Sequence, residues 1–319
     1  MRLGALGSLQ RGILNVRANW RLALLGWLQT MLVAALTVVS LLPFYFILGF
    51  ELPPTELTFA AGLEWAVAVG ERLVAGIWTA PFWLALISSS AVMTLSLVVY
   101  SFVQAGSFGI LNAGDGAAGT GAAPAVEGFK AFSWVRFQHL GGTLVWRFFW
   151  LFNVIFLLWM GWLLLALLAA VLVGVATGAA GLGAGLGLGA AAVLPLAFLF
   201  IVLLFWSGLA QAELVASDCG VRDALRQGLV VLTRRLGAIL LLFVVLMIVT
   251  FGMAIVFGLL SLLLGAGLGV FGVLGPILGW VVQGVQWLVT SIFNLIISAT
   301  LVALSRGEGL SVESSEPAV

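Results

Sequence analysis

Charged side chains are scarce in this sequence, with 13 Lys and Arg and 12 Asp and Glu among 319 residues, or 8%. A soluble domain carries about a quarter, so the charges present cannot clothe a surface in water. A single cysteine, Cys219, excludes an internal disulfide framework and any multi-cysteine metal site. A single histidine, His139, argues equally against a histidine-rich metal centre. The apolar runs lack the alternation of apolar and polar residues, over about ten positions, that marks a transmembrane barrel. No small-residue cleavage pattern follows a short apolar region near the N-terminus, so no removable signal peptide is expected. Clusters of Asp, Glu, His or Lys are missing, and Ser88, Ser89 and Ser90 have no His or Asp companion that would make a nucleophile. The expectation is therefore no enzyme, no catalytic residues, no cofactor and no metal.

What fills the chain instead is apolar. Hydrophobic residues make up 63% of it, glycine occurs 40 times, and the mean hydropathy is +1.25. The expected fold class is an all-α polytopic membrane protein, because lipid leaves backbone groups no partner outside a helix or a closed barrel. Charge-free intervals count the crossings. Leu22 to Phe50 is one crossing of about 20 residues. Between Arg72 and Asp115, Pro81 to Gln104 forms a second, and "NAGDGAAGTGAAP" (112–124) reads as a loop. The 65 residues between Arg147 and Glu213 and the 70 between Arg235 and Arg306 are each too long for one passage. They turn back at "GAAGLGAGLGLGA" (178–190) and "GAGLGVFGVLGP" (265–276). One membrane domain with six transmembrane helices results, over 22–49, 81–104, 148–176, 191–212, 238–263 and 277–304, with a disordered tail over 306–319.

Twelve of the thirteen basic residues fall on one side of this topology, and only Arg72 on the other. The positive-inside rule then places both termini in the cytoplasm, in a plasma membrane of the bacterial inner-membrane type. The opposite segment carries Glu51, Glu56, Glu64 and Glu71. Its stretch 57–78 suits an interfacial helix with Trp65 and Trp78 at headgroup depth.

Amphipathic helices are expected on the arginine-rich side. In 5–18, Leu6, Leu9, Ile13 and Val16 share one face, and Ser8, Arg11 and Asn15 the other. In 221–235, Ala224, Leu225, Leu229 and Leu232 oppose Arg222, Asp223, Arg226 and Arg234, with Asp218 as the expected N-cap. A third such helix is expected over about 126–140. Displaced by 96, His139, Leu140, Gly141 and Leu144 fall on Arg235, Leu236, Gly237 and Leu240, which suggests three repeats of an amphipathic helix followed by a transmembrane hairpin. The alternative is chance agreement in apolar, low-complexity sequence.

The stretch "ELVASDCGVRDALRQGLVVLTRRLGAILL" places an acidic residue, a Gly, an Ala-Leu pair and basic residues before a spanning helix. In this it resembles a group of bacterial and archaeal membrane proteins that includes the membrane domain attached to some glycerophosphoryl diester phosphodiesterases. The resemblance implies a six-helix architecture of poorly defined function, without catalytic residues to carry over.

Candidate sites are few. Arg222, Arg226, Arg234 and Arg235 are candidate contacts for anionic lipid. Glu213 with Gln211 is a candidate polar membrane site, and a surface carboxylate paired with Arg222 or Arg147 is the alternative for Glu213. Asn153, Gln283, Gln286 and Asn294 suit hydrogen bonds between helices, and the spacings of Gly181, Gly185 and Gly189, of Gly265 and Gly269, and of Gly275 and Gly279 suit close helix packing. The expected function is that of a structural, accessory or lipid-interacting membrane component. A transporter or channel for an apolar or lipid-like substrate is the alternative. The expected partners are membrane lipids, and other membrane subunits or further copies of the chain; nucleic acid is not among them.

Overall fold

The computed structural model describes residues 4–48, 59–119, 125–271 and 274–313. Among them there is no strand, and nine α-helices carry the chain: α1 (Ala5–Ala18), α2 (Arg21–Leu48), α3 (Phe59–Gly76), α4 (Ala80–Ala117), α5 (Trp134–Ala180), α6 (Leu182–Ala216), α7 (Val221–Arg234), α8 (Leu236–Phe271) and α9 (Leu274–Glu313). A short 3-10 turn, Val126–Phe129, precedes α5. Six helices, α2, α4, α5, α6, α8 and α9, are long and apolar enough to cross a membrane. The fold is all-α and polytopic.

Two compact units divide the chain. The smaller, Trp27–Tyr100, holds most of α2, all of α3 and the first half of α4. Pro43 inside α2 cannot donate to the helical ladder. Nearby, the Ser89 hydroxyl of α4 donates to the Ser40 carbonyl at 2.5 Å and pins the two helices. Phe44 and Phe82 add an edge-to-face contact at 6.4 Å. Trp78 is fully in the open at 90% exposure. The side chain of Trp65, like residues 51–58, lies outside the described residues.

The larger unit, Met1–Gly26 with Ser101–Val319, is built from two hairpins, α5 with α6 and α8 with α9, and from α1, α7 and the adjoining ends of α2 and α4. The first hairpin turns on one residue. Gly181 has φ 86°, a conformation that costs a side-chain-bearing residue but not glycine. Gly185 then lies directly against Thr177, and Trp162 of α5 donates its indole N–H to the Leu196 carbonyl at 3.0 Å, beside Pro195 of α6. Trp159 meets Trp162 and Phe200 edge to face beside that bond, and Trp162 and Phe200 are tilted at 57° to each other.

Burial within this unit is polarised. Phe108, Ile110, Leu111, Phe137, Phe148, Leu151, Leu209, Leu214, Ile239 and Leu304 are enclosed, and all lie toward the ends of helices that adjoin the arginine-bearing segments. Toward the hairpin turns, Leu164, Leu168, Val171, Leu194, Phe198, Ile248 and Leu262 are exposed. Helix length explains the division. The 47 residues of α5 extend about 70 Å at 1.5 Å per residue, roughly twice the ~30 Å hydrocarbon core. One half of the hairpin therefore offers lipid an apolar surface. The other half carries the packed core.

Several expectations are corrected. No separate helix occupies 126–140: after the 3-10 turn the chain is extended, Ser133 caps the backbone N–H of Arg136 at 3.2 Å, and α5 runs unbroken from Trp134 into its span. The displacement by 96 thus sets the interior of α5 at His139 on Arg235, the C-cap of α7, so the middle segment lacks the helix-then-hairpin form. The glycine-rich 112–117 is not loop but the last turn and a half of α4, while 120–124 lie outside the described residues. At the C-terminus α9 continues to Glu313, so 306–313 is helical and not a disordered tail; residues 314–319 lie outside the described residues. The surroundings of Gly265, Gly269 and Gly275 are likewise outside what is described.

Candidate functional site at the arginine-bearing end

The polar chemistry of the larger unit is gathered where α1, the end of α4, the start of α5 and the ends of α6 and α9 meet. Helix α1 organises it, and its polar face is the covered one. Ser8, Arg11, Gly12, Asn15 and Val16 are buried, and Leu6 and Ile13 are exposed at 66% and 46%. Its polar stripe points inward, where carbonyls at and just past the end of α4 accept from it.

Arg11 donates from Nε to Asp115 Oδ1 at 2.9 Å and from Nη2 to the carbonyls of Asp115 and Gly119, at 3.2 and 2.9 Å. Both partners of this ion pair are about 6% exposed. The guanidinium also lies 5.4 Å from the centroid of the Phe129 ring. A cation at the C-terminus of a helix complements the partial negative charge of the last carbonyls. A second arginine does the same from α9: Arg306 donates to Asn112 Oδ1 at 2.6 Å and lies against Gly116. These contacts hold "NAGDGA" helical despite its three glycine and asparagine breakers. The glycines are in turn required. A Cβ at Gly114 would come within 2.6 Å of the Phe129 carbonyl.

Asn19 fixes the extended segment before α5. Its Oδ1 accepts the backbone N–H groups of Ala131 and Phe132 at 3.0 and 2.8 Å, and its Nδ2 donates to the Phe129 carbonyl at 2.8 Å. Asn15 continues the chain to the Leu111 carbonyl at 2.8 Å. Asn112, besides accepting from Arg306, donates to the Val215 carbonyl of α6 at 3.1 Å.

Glu213 sits in the same layer, 6% exposed. Ser217 donates to its Oε2 at 3.1 Å, and Ser305 of α9 makes a short hydrogen bond to its Oε1. The expected partners Arg222 and Arg147 are not engaged with it among the described contacts. Arg147 pairs with Asp218 Oδ1 at 2.5 Å, in the open. Gln211 is half-buried and donates to the Ser207 carbonyl of its own helix at 3.1 Å, so it does not join Glu213. Asn153 likewise bonds within its own helix, to the Phe149 carbonyl, and not across to another.

On α7, Ala224, Gly228, Val231 and Leu232 are buried, and Gly228 lets the helix press against α6, where a Cβ would stand 2.9 Å from the Ala210 nitrogen. Leu229, expected inward, is 44% exposed. Arg222, Arg226 and Arg234 are exposed and Arg235 is half-buried. Gly220, not Asp218, occupies the N-cap. Asp218 instead adopts φ 45°, which is uncommon for a residue with a side chain, and turns its carboxylate to Arg147. Next to it, burial pushes the Cys219 thiol upward from its ordinary pKa, reinforced by the carboxylates of Glu213 and Asp223.

Between the end of α4, the start of α5 and the turn from α6 to α7 lies an open cleft of about 500 Å³, with Arg136, Arg147, Asn112, Thr143, Leu140 and Asp218 among its lining. The network of Asn15, Asn19, Asn112, Arg11, Asp115 and Arg306 was not a sequence expectation. The inward signal was present only in the spacing of Arg11, Asn15 and Asn19 on one face. Among the described residues no three His, Cys, Asp or Glu side chains converge as a metal site.

The helices and their apolar surfaces define the class: a multi-pass, all-α membrane protein. No family model, curated protein or solved structure matches the chain.

Proposed function

We propose that this chain is a non-enzymatic component of a bacterial inner membrane, structural or accessory in role, whose arginine-bearing end lies at the cytoplasmic face and engages anionic lipid headgroups. Kinship with the six-helix membrane group described above belongs to the same proposal. The observation that carries it is the outward presentation of Arg222, Arg226 and Arg234 on a helix whose opposite face is packed against α6. Each basic residue near an anionic surface contributes about 1 kcal/mol. The buried Arg11, Asp115, Asn15, Asn19 and Glu213 of this end are each engaged in hydrogen bonds, which suits a scaffold more than a path for charge. Membrane lipids are the proposed partners, and other subunits or further copies of the chain would meet the exposed apolar halves of the hairpins; nucleic acid is not a proposed partner.

The test is to replace Arg222, Arg226, Arg234 and Arg235 with Gln and to compare co-purifying lipid in mild detergent. The proposal expects the enrichment of anionic over zwitterionic lipid to fall. Equal enrichment in the variant and the parent protein removes these arginines from lipid binding.

A carrier for an apolar or lipid-like substrate is the second reading, and Glu213 favours it. A carboxylate 6% exposed, held by two serine hydroxyls at the end of a span, is an unusual expense of desolvation for a scaffold. Glu213→Gln keeps the shape and removes the charge. A carrier would lose transport while folding normally; a scaffold would keep its assembly and lipid enrichment.

A further inference from the structure

We propose that the cleft between α4, α5 and the α6–α7 turn is a binding site for a phosphate ester, and that Asp218 is a tethered competitor that occupies Arg147 until the ligand arrives. This rests on the lipid-interacting reading for its biological setting but uses different residues from the α7 arginines.

Three observations converge on it. First, Arg136, Leu140, Thr143, Leu144 and Arg147 recur at helical spacing on one face of α5 and line the cleft, so two guanidinium groups, a hydroxyl and an apolar wall serve one space. Second, Arg136 lies in the first turn of α5, where the helix already presents partial positive charge and where there is no acidic residue. Its guanidinium has no hydrogen bond or ion pair among the described contacts. A cation held at that end without a counter-charge is unfavourable, and an anion would relieve both terms. Third, the only carboxylate lining the cleft among the described residues, Asp218, is held at φ 45° with its side chain 82% exposed, and its bond to Arg147 takes one of that residue's terminal nitrogens. An exposed pair of this kind contributes little, so an arriving oxyanion can displace the carboxylate without a large loss. The remaining donors of Arg147 suit the forked geometry of a phosphate.

The two arginines are eleven residues apart, about 16 Å along α5. The volume and the apolar wall fit an ester with a polar head and an adjoining apolar part better than a small inorganic ion. A phospholipid headgroup and a soluble phosphate ester share this chemistry, and the experiment separates them.

Full-length protein in mild detergent is titrated with phosphatidylglycerol, with phosphatidylcholine and with glycerol 1-phosphate, and bound ligand is counted by native mass spectrometry. The parent protein should retain one tightly held phosphatidylglycerol. Arg136→Gln should weaken it about tenfold, the scale of a lost charged hydrogen bond. Asp218→Asn should strengthen it by up to about fivefold, because the competitor is gone. If glycerol 1-phosphate binds alone with equal strength, the site serves soluble esters; if only the lipid binds, it serves the membrane. Should Arg147→Gln fail to fold, the other two variants decide the matter. Binding unchanged by both Arg136→Gln and Asp218→Asn overturns the proposal. The quadruple α7 variant separates the two readings: it should lower general anionic enrichment and leave the single tight ligand in place.

Discussion

Replacing Arg11 with Leu probes the centre of the polar layer. The side chain forms an ion pair with Asp115 at 2.9 Å, with both groups about 6% exposed, and it caps α4 through the carbonyls of Asp115 and Gly119. Removing one member of a buried pair leaves the other charge without compensation, which costs about 3–5 kcal/mol. The variant also releases the two carbonyls, so the glycine-rich end of α4 should fray. The loss should appear as a lower unfolding midpoint in mixed micelles, followed by the emission of the protein's 13 tryptophans. The double change Arg11→Leu with Asp115→Leu removes both charges and should recover about 2 kcal/mol or more of that loss, since apolar replacement of a whole buried pair is often near neutral. Arg147→Leu is the control. Its pair with Asp218 is 43% and 82% exposed, so its loss should stay within about 1 kcal/mol. A loss below about 1 kcal/mol for Arg11→Leu, equal to the control, would refute the burial of the pair and the capping of α4 with it.

Other consequences can be measured in the same way. Gly114→Ala forces a Cβ to within 2.6 Å of the Phe129 carbonyl and should destabilise by about 1–3 kcal/mol, whereas Gly174→Ala meets nothing within 4 Å and should be neutral or stabilising by up to about 1 kcal/mol. Asn19→Ala strands the Ala131 and Phe132 N–H groups and the Phe129 carbonyl, and should cost at least about 2 kcal/mol in the same unfolding assay. The Cys219 thiol, raised by burial, holds less thiolate at neutral pH than a free cysteine, so the midpoint of its maleimide reaction should lie at higher pH than that of glutathione. An equal or lower midpoint would place the thiol outside its buried setting. Being the only cysteine, it also reports sidedness: an impermeant maleimide at alkaline pH should label it in inverted vesicles and not in intact cells.

The number of spans was legible in the sequence because charge in this chain is rare enough to leave long apolar runs, although the helices run past the charges that border them, α5 beginning before Arg147 and α9 ending after Arg306. The facing of the amphipathic segments was not. Periodicity shows that α1 has two faces but not which of them the rest of the protein covers. In the fold Arg11, Asn15 and Asn19 gain partners by burial, while Leu6 and Ile13 stay exposed. The glycine-rich 112–117 was read as loop for a related reason. Local propensity disfavours helix there, but two arginines distant in sequence, Arg11 and Arg306, supply the missing stabilisation at its end. On α7, where the neighbour is apolar α6, the arginines are outward, and only the placement of Leu229 and of the cap escaped the pattern. The partners of Glu213 were equally hidden, since Ser305 lies 92 residues away and serine in an apolar run carries no signal of its own.

The most direct test of the central claim is extraction of the protein from its native membrane in a gentle detergent, with quantitative mass spectrometry of the lipid that remains bound. A lipid-interacting component with its arginine-bearing end at the cytoplasmic face should emerge with anionic phospholipid enriched over the surrounding membrane. Bound lipid of the same composition as the bulk membrane would contradict the account.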